Sequence, residues 1–421
     1  MIQTISLSHG ATLRCCTDTR FKQGCLSFQL VRQMNGEEAA LNALLPSVLL
    51  RGTRKHPDLR SITAHLDELY GASVSPLVRR VGDYQTTGFY CGFLDDRFAL
   101  PGDKVLEPML DFLGEVLLEP PVEAEGFLTA FVESEKKNLI ATIESELNDK
   151  RTYAMNRLLK QMCAADTFGL PRLGEKEQVA AITPRSLYCH YRQLLRTSPI
   201  EIFYVGSAEP AQVARLLEPV LSRLERQVLP LPEQTGLRMS PPRNVEEELE
   251  VSQGKLCMGF VTPITNRMPE FPAMQVMNTI LGAGMTSKLF MTVREKLSLC
   301  YYIGSGYYGT KGIVTVAAGI DFDKEERTRE EVLRQLEACR SGDITDQELT
   351  AAKEAILSSL RGTHDSPGSI EGYYATAALS GLCFSHGDYM AAVEAVTREA
   401  VVDCAKGLQL HTTYFLKGGS Q

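Results

Sequence analysis

A proline-rich segment near the middle of the chain constrains the fold more than any other feature of the sequence. Residues 228–243 carry four prolines and show no apolar periodicity. Because proline fixes the backbone, such a segment is typical of a semi-rigid interdomain linker. The chain has 421 residues, more than a single hydrophobic core usually organises. The sequence therefore predicts an N-terminal domain over 1–227, a linker over 228–243 and a C-terminal domain over 244–421.

The order of predicted elements repeats on the two sides of this linker. Apolar runs indicate strands, and a period of 3.6 residues indicates helices. In the first half these patterns predict strands over 23–32, 85–94 and 200–206, and helices over 36–51, 58–70, 103–119, 123–147, 183–195 and from Glu209. In the second half they predict strands over 246–263, 299–308, 311–320 and 408–416, and helices over 270–281, 287–297, 324–340, 345–361 and 367–381.

Both halves contain a turn with paired acidic residues that leads into two long helices. The acidic residues of these turns are Asp95, Asp96, Asp321 and Asp323. The second long helix is predicted to begin at Glu123 in one half and at Asp346 in the other. The matching position of this unit favours an α+β duplication of two homologous domains. Each domain would be a mainly antiparallel sheet with helices packed on one face.

The charge balance excludes some classes of partner. The net charge is −8, from 44 basic and 52 acidic residues, and no dense block of Lys and Arg is present. This argues against nucleic acid or an anionic membrane surface as the main partner. The longest apolar run, near residues 41–50, is too short to span a bilayer. The N-terminus lacks the basic and apolar regions of an export signal, so we expect no export.

The cysteines predict a reducing compartment. There are eleven, an odd number, and no two have C-x-x-C spacing. Several, such as Cys91 and Cys257, lie inside apolar runs, where a free thiol behaves as a small hydrophobic group. We interpret them as reduced thiols of a cytoplasmic protein.

Residues 41–53 have the frame of an inverted zinc-peptidase helix, H-x-x-E-H followed by an apolar stretch and Gly-Thr, but lack its chemistry. The two ligand positions fall on Ala43 and Ser47, and the general-base position falls on Pro46. Such a site needs two His one helical turn apart and a carboxylate that takes a proton from the metal-bound water. Alanine and proline supply neither group, and serine is a poor zinc ligand. We predict no metal site and no catalytic residues in this chain.

Proline also has a structural consequence in this segment. Helical periodicity from Glu37 to Leu50 predicts a core helix, and Pro46 lies inside it. Because proline removes one backbone donor, we expect a kink or a break at this position.

Two segments of the first half resemble a known family. They are residues 42–53, which contain the degenerate motif, and residues 66–72, which read Leu-Asp-Glu-Leu-Tyr-Gly-Ala. Over nearly its whole length the chain resembles the M16 peptidases, the insulinase-like family of pitrilysin and the processing peptidases. It is most similar to a zinc-less bacterial branch that is encoded beside a zinc-bearing paralogue. That branch is associated with 5-aminopentanol modification of elongation factor P.

The resemblance also points to a third metal-ligand position. In zinc-bearing relatives a Glu on a later long helix completes the site, and Glu135 matches it. Without two His this carboxylate cannot hold zinc alone, and a single carboxylate on an exposed helix face is usually solvated. We therefore assign Glu135 little metal relevance.

The second half carries another family signature, a glycine-rich loop followed by an R-E-x-x-x-L-x-Y run. In relatives the Arg and Tyr of this run hold the backbone of the substrate peptide, and the loop touches the peptide. The resemblance implies a substrate-binding set of Arg294, Tyr301, Gly282 and Gly284, although the usual glycine of the run is Ser298 here. From spacing alone, Arg294 would be a helix-surface charge and Tyr301 a core residue of a strand.

Other catalytic motifs are not convincing. Residues 304–309 satisfy G-x-G-x-x-G, but strand-like runs lie on both sides, so they indicate a hairpin and not a dinucleotide site. Gly282 and Gly284 are not followed by the G-K-[ST] of a phosphate loop. No pair among the seven His has metal-ligand spacing along a helix, and no G-x-S-x-G is evident.

These observations favour a non-catalytic subunit of a heterodimer. A zinc-bearing M16 paralogue would supply His, His and Glu with the zinc, and this chain would supply Arg294 and Tyr301 to a shared peptide chamber. One alternative is a structural or peptide-binding scaffold, like the core subunits of respiratory complexes that share this fold. Another is an enzyme with a cryptic metal site that recruits Glu135.

Overall fold

The computed structural model describes residues 2–146 and 148–418, which divide into two compact units. Unit 1 consists of Met1–Glu144, Pro171–Glu233 and Thr363–Ala377, and unit 2 of Ser145–Leu170, Gln234–Gly362 and Ala378–Gln421. One division, at Glu233, falls inside the segment 228–243. Each unit also takes in one segment from the other half of the chain, 363–377 in unit 1 and 145–170 in unit 2. No sequence pattern predicts this exchange.

The strands belong to two main sheets and one short hairpin. Numbered in chain order, they are β1 (Ile2–Leu7), β2 (Ala11–Thr17), β3 (Gln23–Gln33), β4 (Ser73–Val81), β5 (Tyr84–Leu94), β6 (Val122–Glu123), β7 (Gly126–Phe127), β8 (Ile200–Gly206), β9 (Arg243–Leu249), β10 (Gly254–Val261), β11 (Cys300–Tyr308), β12 (Ile313–Ile320) and β13 (Gln409–Gly418).

The helices include one of the rare π type, over Leu289–Lys296. The α-helices are α1 (Ala39–Leu49), α2 (Leu59–Glu68), α3 (Leu106–Leu118), α4 (Thr129–Ser145), α5 (Lys150–Met162), α6 (Lys176–Ala181), α7 (Pro184–Thr197), α8 (Pro210–Leu221), α9 (Phe271–Leu281), α10 (Glu325–Ser341), α11 (Asp346–Gly362), α12 (Pro367–Ser380), α13 (His386–Ala395) and α14 (Arg398–Lys406). Within residues 2–146 and 148–418, no helix has the length and apolar character needed to cross a membrane.

The two main sheets share one topology, which confirms the predicted duplication. The strand order is β1-β2-β8-β3-β5-β4 in unit 1 and β11-β12-β10-β13-β9 in unit 2. Read in reverse, the second order follows the same path as β2-β8-β3-β5-β4. In each sheet one pair is parallel, β2 with β8 and β9 with β13, and the remaining pairs are antiparallel. The chain is therefore an α+β duplication with mainly antiparallel sheets.

The exchanged segment 363–377 covers part of the second face of the sheet in unit 1. Successive side chains of a strand point to opposite faces. On β3, Leu26 and Phe28 join a core cluster with residues of α1, α3, α7 and α8. Cys25, which points the other way, packs with Ile370 of α12. Helices on one face of this sheet were predicted. The structure shows that part of α12 also packs on the other face.

A buried carboxylate fixes this segment to the sheet. The side chain of Glu371 on α12 is 0% exposed. Ser27 Oγ donates to it at 2.6 Å, and the two terminal nitrogens of Arg79 donate at 2.8 and 2.7 Å. Bidentate pairing makes this one of the stronger classes of charge-assisted contact. Removing one partner of a buried pair typically costs about 3–5 kcal/mol, because the other charge is left unpaired.

Two ion pairs help to hold the segment 145–170 within unit 2. Glu247 of β9 accepts hydrogen bonds from Arg157 Nε at 2.7 Å and from the Tyr153 hydroxyl at 2.5 Å. Farther along the segment, Asp166 lies 2.9 Å from the ammonium of Lys311, whose side chain is fully buried. Because a buried lysine charge is costly without a partner, this pair fixes the end of the segment.

Helix α1 continues through Pro46, so of the predicted kink or break the break does not occur. Proline cannot donate to the carbonyl of Asn42, four residues earlier. Thr87 Oγ1 on β5 donates to that carbonyl at 2.7 Å. The neighbouring strand therefore supplies the hydrogen bond that proline removes, and the helix continues to Leu49.

A buried polar network holds α1 against β5 and α7. The Asn42 side chain, 0% exposed, donates from Nδ2 to Gln85 Oε1 at 2.8 Å and accepts from His190 Nε2 at 2.7 Å. Gln85 Nε2 in turn donates to the backbone carbonyls of Ala39 and Arg172 at 3.1 and 2.7 Å. Burial lowers the pKa of His190 to about 4, so its imidazole is neutral at pH 7.

Most cysteines are buried in the two units. All eleven are free thiols, and eight of them are buried. Burial raises the pKa of Cys25 and of Cys257 to about 12 in each case. These thiols are protonated at neutral pH and act as small apolar groups of the core.

We expect His190 to make stability depend on pH. The unfolded imidazole takes up a proton near pH 6.5, whereas the folded one resists until about pH 4. Stability is therefore full above pH 6.5 and falls as the pH drops toward 4, by on the order of 2–3 kcal/mol. In urea unfolding at several pH values, His190→Gln should flatten this slope. His9→Asn, a change at an exposed His, should leave it unchanged; equal slopes for both variants would contradict the assignment.

Candidate functional site

The first half of the candidate site is the stretch of α1 that matches the zinc motif. Ala43 is 5% exposed and Pro46 is buried in the core, while Ser47 is half-buried. None of the three side chains carries a group that suits a zinc ion or abstracts a proton. In the described part of the chain, no group of three or more His, Cys, Asp or Glu residues is placed to hold a metal ion.

Glu135, on α4, contacts Arg51 just after α1 and is not solvated as the sequence suggested. Its side chain is 12% exposed and pairs with Arg51, with 3.4 Å between Oε1 and the guanidinium. Asn138 Nδ2 donates to the second carboxylate oxygen at 3.1 Å. The guanidinium of Arg51 also lies over the ring of Phe131. The carboxylate that would complete a zinc site is thus neutralised by a cation of the same chain.

A histidine cluster beside the Gly-Thr turn was not predicted. The rings of His56 and His65 stack with their centroids 4.6 Å apart, and both contact Phe112. Glu115 lies 2.8 Å from His56 Nδ1 and also accepts a hydrogen bond from the buried hydroxyl of Thr53. Burial and the neighbouring His56 lower the pKa of His65. The cluster fixes the turn after α1. His56 lies 9 positions from His65 and 59 positions from Glu115, so no short sequence motif contains all three residues.

The second half of the candidate site is a pocket of about 390 Å³ in unit 2. Its lining includes Arg294, Glu295, Ser298, Tyr301, Asp321 and Lys324. The structure thus brings both side chains of the R-E-x-x-x-L-x-Y run to one cavity. Tyr301 is 53% exposed, so the alternative that it is a core residue of a strand is wrong.

Arg294 lies on the π-helix, a type that is uncommon and frequent at functional sites. Its guanidinium lies 4.7 Å from the centroid of the Phe290 ring, and its Nε is 3.8 Å from Glu295. The side chain is 42% exposed. Because the ion pair is long and exposed, it contributes little, and the planar face of the guanidinium is supported by the ring. Arg294 is held in place while its charge remains available to a ligand.

Ser298 explains why a glycine is usual at this place in the run. The π-helix ends at Lys296, and Ser298 follows with φ of 50°. Only glycine adopts this left-handed conformation without steric cost. Ser298 therefore stores a small backbone strain that turns the chain from Arg294 into β11, where Tyr301 lies.

Tyr301 is engaged with Asp321. Its hydroxyl donates to Oδ1 of Asp321 at 2.7 Å, and Lys324 pairs with the same carboxylate at 2.7 Å. Lys324 and Tyr301 lower the pKa of Asp321, and the carboxylate raises the pKa of Tyr301. The phenol proton points to Asp321, so in this arrangement Tyr301 offers a ligand an acceptor and Arg294 is the strong donor of the pocket.

The glycine-rich loop is anchored at both ends, and its tip is exposed. Ser305 N donates to the carbonyl of Gly282 at 2.9 Å. At the other end, buried Lys288 pairs with Glu348 of α11 at 2.9 Å. Between them, a Cβ on Gly284 would meet nothing within 4 Å, and the side chain of Met285 is 76% exposed. The tip is therefore the part of the loop that can meet a ligand.

Together, the duplicated α+β fold and the substituted ligand positions on α1 define a chain built like a metallopeptidase without the metal-ligand residues. The sequence profile described as the Peptidase M16 inactive domain matches residues 181–356. The chain is 31% identical over 409 residues to the "Probable inactive metalloprotease YmfF" of Bacillus subtilis (strain 168). This match covers 97% of this chain and 96% of that protein. The chain belongs to the M16 peptidase family.

Solved structures match the whole fold. A conserved protein from Enterococcus faecalis V583 aligns with a TM-score of 0.92 and 26% identity, over 100% of this chain and 99% of that one. A peptidase M16 inactive domain from Pseudomonas fluorescens aligns with a TM-score of 0.82 and 18% identity, over 100% and 98% of the two chains. Both alignments include the two units and support the duplication.

The two loop glycines should respond differently to the same substitution. A Cβ on Gly282 would come within 2.8 Å of Leu289 and Ser305 side-chain atoms, whereas one on Gly284 would meet nothing within 4 Å. We expect Gly282→Ala to lower the free energy of unfolding by about 1–3 kcal/mol, as overpacking does. Gly284→Ala, the matched control, should change it by less than about 0.5 kcal/mol. Chemical unfolding of the two variants decides this, and equal losses would show that the loop packing is different.

Proposed function

We propose that this chain is the non-catalytic subunit of a paired M16 peptidase. A zinc-bearing M16 paralogue supplies the metal with its two His and one Glu, and this chain contributes a peptide-binding surface. The observation that carries the proposal is the contrast between the two halves of the site. Ala43, Pro46 and Ser47 cannot support hydrolysis, whereas Arg294 and Tyr301 are both present and line one pocket.

In this proposal Arg294 is the main contact to the peptide. A guanidinium that lies on an aromatic ring and has only a long ion pair can donate to a peptide carbonyl or to its developing oxyanion. Tyr301, on β11, lines the pocket, and its hydroxyl is oriented by the hydrogen bond that it donates to Asp321. The loop glycines Gly282 and Gly284 are not among the residues that line the pocket, and the proposal that this loop touches the peptide rests on the resemblance to M16 relatives. The resemblance to M16 relatives supports these four roles.

The free thiols and the net charge bear on the cellular setting. We place the pair in the cytoplasm, in line with the free thiols, and infer a peptide and not nucleic acid or a membrane as the ligand, in line with the net charge of −8. Resemblance to the zinc-less bacterial branch supports a link to the 5-aminopentanol modification of elongation factor P. The substrate peptide would then come from that system.

A peptide-binding scaffold that never takes part in hydrolysis is the second candidate. The observation that favours it is internal pairing: Tyr301 is bonded to Asp321 and Glu135 to Arg51. Both candidates use the same pocket, and turnover by the reconstituted pair separates them. The pairing of Glu135 with Arg51 weakens the third idea, an enzyme with a cryptic metal site.

We expect the purified chain to retain no stoichiometric zinc and to cleave no peptide. The physical reason is the lack of lone-pair donors at positions 43 and 47 and of a base at position 46. Elemental analysis after dialysis, beside a peptide-cleavage assay, measures both properties. A zinc-bearing M16 paralogue treated in the same way is the positive control. Chelator-sensitive cleavage that stays with the chain through re-purification would refute the proposal.

Arg294→Ala should separate function from folding. The side chain is 42% exposed and only weakly paired, so the variant should lose no more than about 0.5 kcal/mol of stability. Peptide turnover by the reconstituted pair should fall roughly a hundredfold, as for loss of a charge-assisted donor to the reacting carbonyl. Tyr301→Phe should reduce turnover less, because it removes only the hydroxyl.

The matched control is Arg361→Ala, a similarly exposed Arg outside the pocket with a 3.6 Å ion pair. It should leave turnover and melting temperature unchanged. Turnover equal to that of the native pair for Arg294→Ala would favour the scaffold. A melting temperature that collapses only in the Arg294 variant would show a structural role for that side chain.

A further inference from the structure

The sheet of unit 1 has a free edge along β4. β4 is the last strand in the order, and β5 is its hydrogen-bonded neighbour. A free edge presents unpaired N–H and C=O groups, which can pair with an extended segment of another chain. Whether an edge accepts such a segment depends on which backbone groups point outward and whether they are available.

The hairpin between β4 and β5 determines which groups point outward. Val81 pairs with Tyr84 across a two-residue loop, and Gly82, the first loop residue, has φ of 60° as in a type II′ turn. The closing pair of such a hairpin exchanges both backbone hydrogen bonds. The register then runs back to Ser73 without a shift, so hydrogen-bonded and non-hydrogen-bonded positions alternate. The backbone groups at even-numbered positions 74, 76, 78 and 80 therefore point to the free edge.

Two of these outward positions cannot pair. Pro76 has no N–H to donate. The carbonyl of Val78 already accepts a hydrogen bond from Arg172 Nη1 at 2.9 Å. Both facts agree with the register, because proline at an inward position would break the ladder with β5. The two outward positions that cannot pair, Pro76 and Val78, follow one another in the middle of β4.

The segment that carries Arg172 is fixed beside the edge. Gln85 Nε2 donates to the carbonyl of Arg172 at 2.7 Å. Two residues later Gly174 adopts φ of +74° and packs so closely on Ala40 that a Cβ would come within 2.6 Å of it. Only glycine fits this combination of conformation and contact. The Arg172 side chain therefore reaches β4 from a segment that is itself anchored on both sides.

We propose that Pro76 and Arg172 close this edge to strand addition, so that the chain takes neither an extended peptide nor a strand of a second copy along β4. A strand laid on the edge would leave an acceptor unpaired opposite Pro76 and would have to displace Arg172 from Val78. Each unmade hydrogen bond of this kind weakens binding, and together they account for at least a tenfold loss of affinity. The proposal does not depend on a zinc-bearing partner.

The test opens the edge by substitution. Pro76 and Arg172 are both exposed, so Pro76→Thr with Arg172→Ala should fold normally. The probe is a fluorescein-labelled peptide of alternating Thr and Val, about six residues long as strands usually are. Fluorescence anisotropy should show at least roughly tenfold tighter binding to the double variant than to the native chain. The same peptide with every residue N-methylated should bind neither protein, because it has no backbone N–H to donate on either edge.

The matched control is Pro101→Thr with Arg60→Ala, which changes an exposed proline and an exposed arginine elsewhere in unit 1. It should bind the probe no better than the native chain. The single change Pro76→Thr should give part of the gain, and it keeps the test decisive if the double variant unfolds. Native binding as tight as that of the variants, or no gain in a folded variant, overturns the proposal.

Discussion

The buried carboxylate of Glu371 is the contact on which the sheet of unit 1 depends. Because it is desolvated, it needs the full set of donors that Ser27 and Arg79 supply. This explains an otherwise odd feature of β3, whose residues alternate between apolar side chains toward the helices and polar ones, Ser27 and Gln29, away from them. These polar positions face the carboxylate of Glu371, which is more than 340 residues away in sequence.

The two halves of the candidate site have diverged in opposite directions. On α1 the metal-ligand positions carry other side chains, and the helix packs in the core. The Asn42 carbonyl, which Pro46 cannot pair with, accepts a hydrogen bond from Thr87. The remaining carboxylate, Glu135, is neutralised by Arg51, so no uncompensated charge is left behind. Around Arg294, by contrast, the chain retains costly features: a π-helix and a left-handed serine. Strain of this kind is often found where a particular geometry is used, and it supports the proposal that unit 2 carries the peptide-binding surface.

The elements with strong apolar patterns, such as β3, β5, α9 and α11, could be predicted from the sequence, and so could the duplication. β4 was missed because Pro76, Arg79 and Arg80 interrupt its pattern, and α5 because its buried face is built from Ala154 and Leu158 among many charges. Arg294 and Tyr301 are proposed as site residues through a motif shared with the family that the chain resembles. Their partner Asp321, the pair of His56 with Glu115 and the pair of Arg51 with Glu135 join residues 20 to 84 positions apart, and no local pattern encodes them. The predicted domain boundaries stay predictions.

The exchange of segments makes the two halves of the chain obligate complements. A division at Glu233 would leave the first half with residues 145–170, which belong to unit 2, and the second half with residues 363–377, which belong to unit 1. Neither half would contain a complete unit: one would lack Glu371, and the other would lack Asp166 beside buried Lys311. The duplication is therefore no longer separable into its ancestral copies. Two half-length genes could encode this protein only if their products were made together and folded on each other.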